Sequence, residues 1–188
     1  MHAARAQASA ELYLGMVETG VGVIPAGGGC KEMLLRTDPK DAFELIAYAK
    51  VSTSAADARN LGLLRGDAVS MNPERLIADA KAQALLVAQT YAPGVPRKDI
   101  KVGGDATYAL LKVGLYLARE GNYITEYDTV VGEKLAYVLS GGRATGEQTL
   151  SEQNLLDLER EAFLSLCGQP KTQQRMQHML KTGKPLRN

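Results

Sequence analysis

The chain has 188 residues, 45% of them hydrophobic, and 22 basic side chains stand against 21 acidic ones. That is enough chain for one domain with a full core, or for the larger part of one, and with charge nearly cancelling no polyanion partner and no basic stripe for nucleic acid are expected. No run approaches the roughly 20 apolar residues of a membrane span, and the N-terminus lacks the basic-then-apolar layout of a secretory signal, so a cytoplasmic address is expected.

Residues 1 to 10 are alanine-rich and polar, and Glu11 to Leu14 reads as a short strand. Glu18 then stands between Gly15 and Gly20, with no Lys or Arg between Arg5 and Lys31. Burial in such surroundings suits a carboxyl group to proton transfer. Glu11 and Glu32 compete with it, but one opens the strand and the other lies past the next turn, and both read as solvated side chains. Pro25 leads into Ala26-Gly27-Gly28-Gly29, a turn that lets backbone approach a ligand closely, and Cys30 to Arg36 starts a helix. Gly20-x-Gly22 is no dinucleotide fingerprint: the third glycine is missing and Pro25 interrupts where a helix should open. Cys30 and Cys167 lie far apart without CxxC spacing and read as reduced thiols, Cys30 as a small packing residue. His2 and His178 are the only histidines, which leaves no Ser-His-Asp or Cys-His engine and no metal site to expect.

Thr37-Asp38-Pro39 predicts a capped helix start, followed by an amphipathic segment from Lys40 to Tyr48 with Phe43, Ile46 and Ala47 inward. Ser54 caps a further short helix that Gly62 closes before Leu63. Asn72-Pro73 opens a long helix to about Gln89, whose Leu76, Ile77, Ala80, Ala84, Leu85 and Ala88 predict core packing. Tyr91 to Asp105 reads as a loop or boundary. Two helical patterns fill Ala106 to Leu139, joined near Gly121. Six of the eight tyrosines gather from Tyr91 onward, at Tyr91, Tyr108, Tyr116, Tyr123, Tyr127 and Tyr137. That grouping suits an interface between subunits or domains, or an ordinary core edge. Gly141 to Thr149 is a flexible break. Ser151 to Asn154 opens a helix with Glu152 near its positive end, Gly168-Gln169-Pro170 ends it, and Thr172 to Lys181 forms a last basic helix.

The run from Leu14 to Met33 resembles a segment of the enoyl-CoA hydratase/isomerase (crotonase) superfamily, roughly F-G-x-P-E-x-x-x-G-x-x-P-x-x-G-G-[ST]-x-x-L. Glu18 matches that family's second catalytic glutamate, Gly22 the glycine four residues on, and Ile24-Pro25-Ala26-Gly27-Gly28-Gly29 the turn lining the acyl pocket. Val17 departs from a usual proline and Ala26 from a common glycine, but the carboxylate and the Ala26 N–H are kept. Ser54-Ala55-Ala56-Asp57-Ala58-Arg59-Asn60-Leu61-Gly62-Leu63 resembles the family's S-A-x-x-A-x-x-x-G-L in the same order and at about the same distance. The stretches Glu159 to Gly168 and His178 to Asn188 are similar to the C-terminus of bacterial fatty-acid-oxidation proteins in which a 3-hydroxyacyl-CoA dehydrogenase precedes a hydratase domain. The resemblance extends over essentially the whole chain.

The resemblance implies an α/β fold, with part of a crotonase-like (ClpP/crotonase) spiral near the N-terminus and a mainly helical C-terminal region. Residues 1–90 would be the C-terminal part of a crotonase-like core, begun in mid-domain. Residues 91–188 would be a helical extension that completes the coenzyme A site and oligomerises, with Lys171, Arg175, Lys181 and Lys184 available to phosphates. It implies Glu18 as the catalytic acid, with Pro25, Ala26 and Gly27 binding substrate and the Ala26 N–H helping to hold the water. The implied activity is syn addition of water to a 2-enoyl-CoA thioester in fatty-acid β-oxidation. It depends on an upstream half of the same enzyme that brings the second glutamate and the oxyanion donors, so the chain alone is expected to be inactive. No cofactor is expected in this chain, acyl-CoA being substrate and NAD belonging to the upstream dehydrogenase part. The expected partners are an acyl-CoA thioester, the upstream half and further copies of the chain. A noncatalytic oligomerisation or CoA-binding module, and an isomerase or thioester hydrolase of the same superfamily, are the competing functions. An edge left open by the missing half would expose apolar surface and unpaired strand.

Overall fold

A computed structural model describes residues 2–188. The chain is α/β and predominantly helical, with eight α-helices and four three-residue strands among the described residues. It divides into two compact units, one made of residues up to Gly15 with Val51–Val95, the other of Met16–Lys50 with Pro96–Asn188.

In the first unit β1 (Gln7–Ser9) pairs in parallel with β2 (Ala68–Ser70), Gln7 opposite Ala68 and Ser9 opposite Ser70. The predicted strand at Glu11–Leu14 is not formed; the ladder lies earlier in the chain. Ser52 supplies the reason. Its hydroxyl donates to the Leu12 carbonyl at 2.9 Å, its Oγ accepts the Leu14 N–H at 3.0 Å, and its own N–H donates to the Leu14 carbonyl at 2.8 Å. One serine thus satisfies backbone groups that would otherwise need a neighbouring strand. The helix Ala55–Asn60 (numbered α3 in chain order) starts as expected, with Ser54 Oγ accepting the Asp57 N–H. After a 3₁₀ turn at Pro73–Arg75, capped by Asn72, α4 runs Leu76–Ala88. The core packing predicted for α4 is corrected by the structure: none of its residues is buried, and Ile77, Leu85 and Leu86 are 84%, 62% and 60% exposed. Its apolar side chains run round the helix, a pattern normally found in buried helices; one face, with Leu76, Asp79, Ala80, Gln83 and Val87 half-buried, packs on β1, and the others are exposed.

In the second unit α1 (Gly29–Leu34) and α2 (Pro39–Ala47, with Asp38 accepting the Lys40 N–H) come first. They are followed by α5 (Gly104–Glu120), α6 (Glu126–Leu139), α7 (Glu152–Cys167) and α8 (Pro170–Thr182). α6 is central, packing on α1, α2, α5 and α7. Its Tyr127, Val131, Leu135 and Val138 are buried, as are Leu111, Leu115 and Ala118 of α5, Phe43 and Ile46 of α2, and Leu155, Ala162 and Leu166 of α7. The stretches read as a loop and a break, Tyr91–Asp105 and Gly141–Thr149, are not free of strand: β3 (Ile100–Val102) lies in the first and pairs antiparallel with β4 (Gln148–Leu150), which begins in the second. Ile100 and Val102 pack against Leu155. Of the grouped tyrosines, Tyr91, Tyr116 and Tyr123 are exposed, whereas Tyr127 is 5% exposed and belongs to the core.

Candidate functional site

Glu18 begins a 3₁₀ turn, Glu18–Val21, closed by Gly22 in the left-handed region at φ 84. A side chain at Gly22 would also meet Thr172 Oγ1 at 2.7 Å, so both conformation and space require glycine. α8 holds this turn. Thr172 donates its hydroxyl to the Gly22 carbonyl at 2.7 Å, and since that proton is committed, the Tyr127 hydroxyl, also at 2.7 Å, is the donor to Thr172. Arg175 donates to the Thr19 carbonyl, and the Thr19 hydroxyl donates to the Ile46 carbonyl. Within this frame the Glu18 side chain is half-buried; its Oε2 is closed to solvent and has no hydrogen-bond partner among the described residues.

Val23, Ile24 and Pro25 are buried and lead into the turn at Ala26–Gly28, where Ala26 is half-buried and Gly27 exposed. The Pro25 carbonyl accepts both the Cys30 N–H and the Cys30 thiol. Gly28, at φ 91, precedes α1. The carboxylate of Glu159, from α7, accepts the Gly28 N–H at 2.7 Å and the Lys31 N–H at 2.6 Å. Burial pushes the Glu159 carboxyl above its ordinary range, with the amides of Lys31 and Gly28 pulling the other way. Burial likewise pushes the Cys30 thiol well up, and the negative charges of Glu159 and Glu18 add to it. Burial thus favours the protonated thiol, and Cys30, 0% exposed, packs as a small core residue.

The competing carboxylates separate. Glu11 is exposed. Glu32 is not the solvated side chain expected of it: it is 8% exposed and paired with Lys31 and Arg36, while Lys31 also reaches Glu152 at 2.8 Å. The proposed phosphate cluster is corrected at Arg175, which is 1% exposed. Its guanidinium is committed to Asp128 at 2.7 Å, to Asn188 at 2.8 Å and to Thr125, and it lies 5.0 Å from the Tyr127 ring centre. Lys171, Lys181 and Lys184 are exposed.

Glu159 and Thr172 are the residues that sequence reasoning missed. The available signal was position: Glu159 falls on the stripe Leu155, Glu159, Ala162, Leu166, where an ionisable residue interrupts an apolar face and is fully buried. Chemically, the second unit brings together a carboxyl with one dry, unpartnered oxygen and a backbone turn pinned from α7. Such an arrangement suits proton transfer at a bound ligand. Among the described residues no group of three or more His, Cys, Asp or Glu could hold a metal ion, and no helix is long and apolar enough to cross a membrane.

No family model matches the chain. It is 47% identical over 197 residues to a Bacillus subtilis (strain 168) protein named probable 3-hydroxyacyl-CoA dehydrogenase. The alignment takes in 99% of this chain and 25% of that protein, so the chain is related to it over about a quarter of its length.

Proposed function

We propose that the chain is the C-terminal part of an enoyl-CoA hydratase domain of the crotonase superfamily, in a protein that also carries 3-hydroxyacyl-CoA dehydrogenase activity. The observation that carries this reading is the dry, unpartnered Oε2 of Glu18 beside a pinned glycine turn. The relative's name supports the wider setting of 3-hydroxyacyl-CoA metabolism, because hydration of a 2-enoyl-CoA yields the 3-hydroxyacyl-CoA that such a dehydrogenase oxidises.

In this reading water adds to the β carbon of the 2-enoyl thioester, Glu18 delivers a proton to the α carbon, and the Ala26 N–H helps to hold the water. Pro25 and Gly27 line the acyl end. The second glutamate and the two N–H donors for the thioester oxygen come from the upstream half, as do the NAD-binding residues. Removing one such oxyanion donor costs about a hundredfold or more in other enzymes, so the chain alone is inactive in this scheme. The upstream half also gives the exposed faces of α4 and the β1–β2 pair further neighbours, β1 and β2 being a short piece of a larger spiral. In that setting α4's exposed Ile77, Leu85 and Leu86 become core.

The test is crotonyl-CoA hydration by the chain alone and by a polypeptide extended with the upstream half. Activity that appears only in the extended protein, and falls at least about a hundredfold in Glu18→Gln, is the expected result. Unchanged turnover in Glu18→Gln removes Glu18 from its role. A second reading, in which this region only supports the dehydrogenase, fits the relative's name as well. It predicts no hydration under either condition and dehydrogenase turnover that depends on the presence of this region.

A further inference from the structure

The turn from Ala26 to Gly29 contains three consecutive glycines, and such a run has little conformational preference of its own. Whatever fixes it must act from outside the segment. The Gly28 amide within it and the Lys31 amide just past it donate to one carboxylate, that of Glu159, which lies 131 and 128 residues away in the chain. The Ala26 N–H has no acceptor among the described residues. The carboxylate is 0% exposed and occupies a position on α7 that packing alone would fill with an apolar side chain. A buried ionisable group is costly unless its hydrogen bonds are made, and those at 2.7 and 2.6 Å have the short lengths of charge-assisted bonds.

We propose that Glu159 is the positioning residue of the glycine turn: by taking the Gly28 and Lys31 amides it fixes the direction in which the Ala26 N–H is presented to bound water. This rests on the hydratase reading above, and it gives the C-terminal helices a part in the chemistry beyond assembly. Glu159 touches no substrate and acts through the turn. Glutamine at this position keeps the size but turns an NH₂ group toward one of the two amides, so one bond is lost and the turn is released at that point.

The experiment uses the extended polypeptide and compares Glu159→Gln with Leu155→Ala, a purely apolar change on the same buried stripe. Glu159→Gln is expected to lower kcat for crotonyl-CoA by about tenfold or more with KM within about twofold, the pattern of a misplaced catalytic group. Leu155→Ala is expected to lower the melting temperature at least as far with kcat unchanged at 25 °C. If Glu159→Gln lowers the melting temperature but leaves kcat intact, the proposal is overturned and Glu159 is structural only. Should the glutamine variant not fold, Glu159→Asp, which keeps the charge but is one methylene shorter, is judged by the same kcat and KM criteria. Amide hydrogen exchange separates this proposal from the reading beneath it. Exchange at Gly28 and Lys31 at least about tenfold faster in Glu159→Gln shows that the carboxylate holds the turn, even where Glu18→Gln has no effect on hydration and the hydratase reading falls. Exchange unchanged at both amides overturns the positioning role whatever the activity.

Discussion

α4 and α6 are helices of almost equal length, 13 and 14 residues, and both are rich in Leu, Val and Ala. α6 buries seven residues and α4 none. Propensity does not separate them. In α6 the apolar residues Tyr127, Val131, Leu135 and Val138 recur on one face, and Gly132 lets α5 approach closely enough for Leu115 to pack on the backbone. In α4 they surround the axis. The period of an apolar pattern therefore reports that a helix forms, whereas its burial depends on a partner that the pattern alone does not supply. The largest effect that tests this contrast is Leu135→Ala. Leu135 is 0% exposed at the centre of α6, and its truncation is expected to cost about 2–5 kcal/mol in urea unfolding of the chain. A cost below about 1 kcal/mol would mean that α6 is no better packed than α4.

A buried charge tests the same unit next. Arg175 joins the Glu18 turn, the start of α6 and the C-terminal Asn188. Breaking one partner of a buried pair typically costs about 3–5 kcal/mol, and Arg187, which also reaches Asp128 at 3.0 Å, tempers this. Arg175→Met is expected to cost about 3 kcal/mol, near the lower end of that range. The same pair sets an acid limb of stability. Burial alone would raise the Asp128 carboxyl, but the Thr125 amide and the Arg175 guanidinium outweigh it and hold it below the ordinary 3.8. Folding thus favours the ionised form, so this stabilisation is complete above pH 3.8 and is lost as the pH falls below that value through the folded one. Unfolding followed against pH should show that loss, and Asp128→Asn should flatten it. An acid limb unchanged in the variant would assign it to other carboxylates.

Local signals were legible in the sequence. Asp38-Pro39, Ser54 and Ser151 each announced a helix start, and each caps one through an amide two or three residues away. The Glu18 turn and the glycine turn were legible for the same reason, as short runs of unusual composition. β3 and β4 were not: three residues each, inside stretches punctuated by glycine and proline, they are defined by each other and by Leu155. Glu159, Thr172 and Arg175 were hidden by distance along the chain. Their bonds to Gly28, Gly22 and Thr19 span 131, 150 and 156 residues, and each sat inside an ordinary amphipathic pattern. Arg175 groups with the exposed lysines in sequence because charge runs are visible there and long-range pairing is not.

The smallest effect is the one that separates the two helices most cleanly. Leu85 of α4 is 62% exposed, so Leu85→Ser in this chain removes little buried area and is expected to change stability by no more than about 0.5 kcal/mol. The same substitution in the polypeptide extended upstream should cost about 2 kcal/mol or more, because full burial of a leucine contributes about that much. A dye that fluoresces on apolar surface should bind the short chain and lose its signal in the long one. If Leu85→Ser is costly in the chain alone, α4 is packed after all and its contrast with α6 disappears. If it is silent in both, α4 stays bare in the longer protein too, and its apolar surface has some use other than completing a core with the upstream half.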